Sequence, residues 1–291
     1  MRYFFVRWPG LAVASVLFVS TAFPQGLTHT WKSLYVFGDS YSDSGAGYID
    51  GNGPTAVVYL ADALKIPFTY TGDSVSGNGG LNFAVSGAQT GSGEGYRVRQ
   101  AAAACGRKES LLGRGMQNQV ADFGQRVRTA TLHFDPEATL FFLAGGLNDW
   151  SLPTATTIAN LEGEVRALHE FGARYVLVAL MPTKLSPDTK RYKALNKAIG
   201  ILHSRLQSEL PKLRFAVSHW GVYFDEVFQS PSRYGITNTK DKCAGRALFG
   251  EDDTPCANPD TYFFYHEGHP STAVHRVVGL KLKQEISDIY P

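Results

Sequence analysis

Four short stretches hold residues whose types suit acyl transfer: Gly38-Asp39-Ser40, Ser86-Gly87, Gly146-Leu147-Asn148-Asp149, and "HEGHPS" from His266 to Ser271. Acyl transfer needs a hydroxyl nucleophile, an imidazole to take its proton, and donors aimed where the oxyanion forms. Ser40, His269, the backbone N–H of Gly87 and the side-chain amide of Asn148 fill those roles. Gly87 lacks a Cβ and so permits close backbone approach. A zinc reading fits less well, because it needs two histidines four apart on a helix with a glutamate beside the first. His266 and His269 are three apart, Gly268 lies between them, and Pro270 follows.

Plainer roles account for the neighbours. Asp39 and Asp43 suit turn-fixing bonds to the backbone, Asp149 suits a helix cap, and Ser86 reads as incidental. His266 reads as a partly buried, hydrogen-bonded side chain, and His275 as part of the last helix. His133, His169, His203 and His219 have no motif around them, and Tyr262, Phe263, Phe264 and Tyr265 read as strand and core.

The elements that must position these groups are legible as apolar runs. Residues 33–40, 81–88, 138–146, 174–182 and 214–220 are apolar almost throughout, as strands covered on both faces are. Helices are expected from about Pro54, which suits a first turn, over 156–171 with Gly172 as the stop, over 193–210, and from Ser271 or Thr272 to about Tyr290. Leu112, Met116, Val120, Phe123 and Val127 recur at spacings of three and four and predict a further helix. Alternating strands and helices imply an α/β fold, an open parallel sheet with right-handed crossovers and helices on both faces. Ligands then sit beyond the carboxyl ends of the strands, where Ser40, Gly87 and Asn148 fall. Residues 91–109 and 228–264 are too long for simple connections and are expected to wall or cover the site.

"YVFGDSYSDSG", "NFAVSGAQT", "GGLND" and the histidine of "HEGHPS" resemble, in order, the four blocks of the SGNH (GDSL-type) hydrolase family. The chain does not resemble the Gly-x-Ser-x-Gly elbow of α/β-hydrolases, since Ser42 stands where that pattern has its second glycine. The resemblance implies a three-layer α/β/α sandwich with a five-stranded parallel sheet, and hydrolysis of carboxylic esters without a metal or organic cofactor. It makes Ser40 the nucleophile, His269 the general base, and the N–H groups of Ser40 and Gly87 with Asn148 the oxyanion donors. One block departs from the pattern: His266 stands where the family usually has an aspartate, three residues before His269. The group orienting His269 is then a main-chain carbonyl near Tyr265 or His266, the carboxylate of Glu267, or an acid from elsewhere such as Asp260. The same residues are compatible with an acyltransferase, and the change at His266 with a binding protein on a degenerate scaffold. "GYIDGNGPTAVVYLADAL" and "NFAVSGAQTG" resemble the lecithinase and haemolysin-like bacterial branch, which favours lipid or phospholipid esters over acetylated saccharides.

At its start, Arg2 and Arg7 precede an apolar run from Leu11 to Val19 and the small residues Ser20, Thr21 and Ala22. This is the layout of a secretory signal peptide over residues 1–22, leaving a single domain over 23–291, secreted or periplasmic and without an integral membrane span. Removing that segment leaves 28 − 2 = 26 basic residues against 26 acidic ones, so no electrostatic footprint for nucleic acid remains. Three cysteines in an exported chain suggest one disulfide, for which Cys243 and Cys256 are favoured, with Cys105 left free.

Overall fold

The computed structural model describes Met1 and residues 29–71, 79–98, 110–185 and 188–291. The expected signal peptide and Cys105 lie outside the described residues. At the centre is a six-stranded parallel sheet of β1 (Ser33–Gly38), β2 (Phe68–Tyr70), β3 (Gly80–Asn82), β6 (Thr139–Ala144), β7 (Tyr175–Ala179) and β8 (Arg214–Ser218), in the order β2-β3-β1-β6-β7-β8. Between β3 and β6 the chain makes an antiparallel hairpin of β4 (Glu94–Val98) and β5 (Ser110–Arg114).

Two groups of helices cover the sheet. Helices α2 (Met116–Arg128), α3 (Thr154–Glu170) and α4 (Thr189–Glu209) pack in succession on one face, and α1 (Ala56–Ala63) and α5 (Trp220–Gln229) pack against α6 (Thr272–Ile289) on the other. The fold is a three-layer α/β/α sandwich. β1, β6 and β7 are buried along their whole length, which is why they read as unbroken apolar runs. One continuous core runs through both layers, with Phe37 stacked on Phe83 and Phe123 set edge-on to both.

Three expectations are corrected. The sheet has six strands instead of five, because β2 is a three-residue, half-buried edge too short to leave an apolar run. Leu112 belongs to β5, where it pairs with Tyr96, and the helix begins only at Met116. The segment 228–264 is less irregular than its composition suggests, since β9 (Asn238–Lys242) and β10 (Tyr262–His266) form a second sheet with the short β11 (His269–Pro270).

The chain runs from β1 to β3 on one side and continues through β6, β7 and β8 on the other, so the strand order reverses at β1. The crevice of an open α/β sheet lies at such a switch point, beyond the carboxyl ends of the strands. Gly38 ends β1 directly opposite Ala144 of β6, and a Cβ there would stand 2.5 Å from the Ala144 carbonyl oxygen. Beyond the sheet, Cys243 and Cys256 form a disulfide 13 residues apart in sequence, closing the loop that carries Arg246. Replacing both cysteines by alanine is expected to lower the unfolding free energy by about 2–3 kcal/mol, the loop-closure contribution of a ring this size, read from urea denaturation under non-reducing conditions.

Candidate active site

Ser40 sits in a tight turn that starts as β1 ends. Within it the Asp39 carbonyl accepts from Ser42 N (3.0 Å) and Asp43 N (2.9 Å), and the Asp39 carboxylate accepts from Tyr41 N (3.1 Å). The end of β1 is fixed from α2, where the buried Gln119 amide bonds both the N–H and the carbonyl of Gly38, each at 2.9 Å.

The loops after β1, β3 and β6 are tied together by two buried carboxylates. Asp43 accepts from the N–H groups of Gly45, Gly47 and Tyr48 in its own loop and from Ser86 N–H (2.8 Å) in the loop after β3. Ser86 is thus not incidental: its hydroxyl also donates to the Tyr48 carbonyl. Asp149 accepts from Thr90 N–H (3.0 Å), the Thr90 hydroxyl and the Thr157 hydroxyl (2.7 Å), joining the loop after β6 to that after β3. It does not cap α3, whose N-cap position is Pro153. The Asn148 side chain donates to the Ala88 carbonyl at 2.9 Å, while Gln89 donates to the Asn148 carbonyl.

The fourth stretch enters from β10 and β11. His266 and His269 face each other across this antiparallel pair, the Tyr41 hydroxyl donates to the Gly268 carbonyl (2.7 Å), and Thr272 at the start of α6 bonds Asn52 and Pro54. This brings His269 Nε2 to 2.7 Å from Ser40 Oγ, across 229 residues of sequence. His269 Nδ1 lies 2.9 Å from the main-chain carbonyl of Glu267. A carbonyl only accepts and a guanidinium only donates, so the Glu267 carbonyl and Arg246 Nη2 favour opposite tautomers at Nδ1; with Nδ1 protonated toward the carbonyl, the Nε2 lone pair faces the serine hydroxyl. Among the described residues, neither the Ser40 nor the Gly87 backbone N–H is engaged in a hydrogen bond. Gly87 has φ +79, and a Cβ there would make only an ordinary contact with the Gly113 backbone at 3.5 Å, so backbone conformation and not space favours glycine.

Of the alternatives for orienting His269, a main-chain carbonyl is the one the structure presents, that of Glu267, one residue beyond His266; the side chains of Glu267, Asp260 and His266 do not serve. The Glu267 side chain is 78% exposed and lies 3.8 Å from Lys242, Asp260 is exposed in a 3₁₀ turn before β10, and His266 turns its Nδ1 to Asp50 Oδ1 at 2.7 Å.

Two residues that sequence reasoning missed complete the surroundings. Asp50, its side chain 8% exposed, places Oδ2 3.3 Å from His269 Nε2. Arg246 donates from Nε to Asp50 Oδ1 (3.0 Å) and from Nη2 to the Glu267 carbonyl, with Nη2 also against His269 Nδ1. The available signal was the acid missing ahead of His269, which requires a carboxylate from another loop; Asp50 lies in the glycine-rich loop that follows Ser40. Among the described residues no group of three or more His, Cys, Asp or Glu side chains is arranged to hold a metal ion.

Burial dominates the electrostatics. It pushes the Asp39 carboxyl up to about 7, helped by the nearby Asp149 and Asp43, and Asp43 up to about 6 despite its N–H bonds. Burial also lowers His269, with Asp50 opposing and Arg246 reinforcing that shift. Burial raises Asp50, but the His266 bond and the charges of His269 and Arg246 outweigh it and leave Asp50 below the usual carboxylate range.

An open parallel sheet with a seryl–imidazole pair at its switch point, and no Gly-x-Ser-x-Gly elbow, is the SGNH layout. The chain belongs to the GDSL-like lipase/acylhydrolase family, whose profile matches residues 34–282. It is 29% identical to a GDSL esterase/lipase of Arabidopsis thaliana over 160 residues, 46% of this chain and 44% of that one. It is 25% identical over 286 residues to an uncharacterized protein of the trpE-trpG intergenic region of Pseudomonas putida, 85% of this chain and 47% of that one. The chain thus spans less than half the length of these two curated relatives. Among solved structures, an acetylxylan esterase from Geobacillus stearothermophilus, as its S15A variant, is similar at a TM-score of 0.45 and 13% identity, covering 89% of this chain and 95% of that one. A lipolytic G-D-S-L family protein from Veillonella parvula is similar at a TM-score of 0.43 and 13% identity, covering 87% and 96%.

The raised carboxyl of Asp39 carries a sign that can be checked. Its value in the fold lies above the ordinary 3.8, so the folded state holds a proton that the unfolded state releases, and stability falls as pH rises between about 4 and about 7. Relative to wild type, Asp39→Asn is expected to gain stability across that window, by up to roughly 1.4 kcal/mol per pH unit, in urea unfolding at stepped pH.

Proposed function

We propose that the protein is an exported serine esterase that hydrolyses carboxylic acyl esters, working as a single domain after loss of residues 1–22. What carries the reading is the 2.7 Å contact between Ser40 Oγ and His269 Nε2, with His269 Nδ1 turned to the Glu267 carbonyl. With the proton on Nδ1 toward that carbonyl, Nε2 is free to serve as the general base.

In the proposed reaction Ser40 Oγ bonds to the acyl carbon as its proton passes to His269 Nε2, and the carbonyl π pair moves onto oxygen. The N–H groups of Ser40 and Gly87 and the second amide hydrogen of Asn148 receive that oxyanion. His269 then gives the proton to the departing alkoxide as the ester C–O bond breaks. Water repeats the sequence on the acyl-enzyme and releases the acid. Every step uses the same proton carrier, and no external acid or base is consumed.

Lipid or other apolar esters suit the site better than acetylated saccharides. Trp150 is 71% exposed two residues beyond Asn148, and Phe249, 64% exposed, lies in the Arg246 loop with the guanidinium 5.5 Å from its ring. Export is supported by the signal-like start and by the disulfide. Among the described residues no helix is long and apolar enough to cross a membrane.

A series of p-nitrophenyl esters from acetate to palmitate tests the activity and the acyl preference together. Wild type is expected to favour the longer chains, and preference for acetate would redirect the assignment to saccharide acetyl esters. Ser40→Ala is expected to abolish both turnover and labelling by a fluorophosphonate probe. Folded wild type that neither labels nor turns over would make the chain a binding protein. Asn148→Ala is expected to lower kcat about a hundredfold to a thousandfold with KM little changed, as loss of one oxyanion donor does.

A further inference from the structure

We infer that Asp50 is the acid of this site, the carboxylate that stabilises protonated His269, supplied from the loop after β1 and held in place by His266. The inference rests on the Ser40–His269 reading and adds the residue which that reading lacks.

The geometry is specific. Asp50 Oδ2 lies 3.3 Å from His269 Nε2, on the same nitrogen that faces Ser40 Oγ. It is therefore not an Nδ1-orienting acid, because the Glu267 carbonyl already occupies that nitrogen. In the resting state the Nε2 lone pair points at the serine hydroxyl and gains nothing from a carboxylate beside it. Once Nε2 takes the proton, a positive N–H stands next to a negative oxygen in a largely buried setting. An interaction that becomes favourable only as the proton moves lowers the barrier and leaves substrate binding unchanged. Asp50 stays ionised throughout, and its proton count does not change.

His266 explains how Asp50 is held. Its Nδ1 donates to Asp50 Oδ1 at 2.7 Å, its ring is stacked on Tyr48, and its side chain is 5% exposed. Arg246 Nε holds the same oxygen at 3.0 Å. With Oδ1 engaged by two donors, Oδ2 is left facing the imidazole. His266, in the position where a carboxylate was expected, serves to place one that comes from 216 residues away.

The groups facing His269 are Ser40, Asp50, Arg246, His266, Tyr41 and, behind it in α6, His275. Among them Asp50 is the anion that supports the imidazolium, whereas Arg246 and His266 oppose it. Removing Asp50 should therefore lower the pKa of His269 and move the acidic limb of kcat/KM to lower pH. Exchanging a triad acid for its amide in a serine protease costs about 10⁴ in turnover, part of it through the wrong tautomer. Here the Glu267 carbonyl keeps the tautomer, so the expected loss is smaller, about a hundredfold in kcat.

The test is the full pH–rate profile of wild type, Asp50→Asn and Asp50→Asn/His266→Asp, alongside Ser40→Ala and fluorophosphonate labelling. Support for Asp50 is a kcat lowered about a hundredfold at nearly constant KM, an acidic limb shifted to lower pH, and recovery of about tenfold or more in the double variant. Residue 266 faces His269 across the β10–β11 pair, so a carboxylate there stands within reach of the ring. Asp50→Asn with wild-type kcat and limb overturns the inference, and so does a loss of kcat with an unmoved limb and no recovery, which would mark a merely structural role. If Asp50→Asn does not fold, comparing Arg246→Gln with Arg246→Gln/Asp50→Asn removes the charges as a pair and reads the same limb. Activity retained by Ser40→Ala would sink the parent reading and this one together, whereas a labelled wild type and inert Ser40→Ala leave Asp50 to be decided by its own profile.

Discussion

Asp43 is buried and its carboxylate collects four backbone N–H groups, three from its own loop and one from the loop after β3. The rest of the site depends on that convergence. An unpaired buried N–H is costly, so each of the four holds the loops where the carboxylate is. Asp149 repeats the device one loop further on, through Thr90 and Thr157. The strands alone bring three chain segments to one edge of a sheet. The two carboxylates turn that proximity into a fixed arrangement of the Ser40 turn, the Gly87 N–H and the Asn148 amide.

The imidazole is governed by opposing charges instead of by one partner. Burial alone would keep His269 neutral, Asp50 favours its protonated form, and Arg246 opposes it. A guanidinium beside an imidazole disfavours its protonated form. Here it also bonds Asp50 and the Glu267 carbonyl, so the cation that opposes the imidazolium also holds both acceptors that face the ring. A buried cluster of this kind is sensitive to the loss of any single member, because each removal leaves a charge without its counterpart.

Much of the fold was legible in the sequence because β1, β6 and β7 are covered on both faces and their burial is written as apolar runs. Among the described residues five of the six helices were legible within about four residues for the same reason, one face of each being core, whereas α5 (Trp220–Gln229) was not expected. What failed was local conformation set by distant contacts. Leu112 is spaced from Met116 as a helix would have it, yet Gly113 takes φ +70 and a Cβ on Gly115 would stand 2.0 Å from the Gly91 carbonyl. The motif residues Ser40, Gly87, Asn148 and His269 stand out in sequence because each ends or follows a strand. Asp50 and Arg246 carry no such mark. They are single charges in glycine-bearing loops, and what gives them meaning is a meeting with residues more than 20 positions away, which no local pattern records.

The contact between Ser40 and His269 closes a circuit of 229 residues, and β6, β7 and β8 with the helices between them lie inside it. Long-range pairing of this kind forms late, since the loop entropy must be met before the contact returns anything. α6, which directly follows His269, docks on α1, which follows the Ser40 loop, so elements from far apart in the chain hold the two side chains together. Apart from the imidazole, Ser40 is an ordinary alcohol, and the pair exists only in the completed topology.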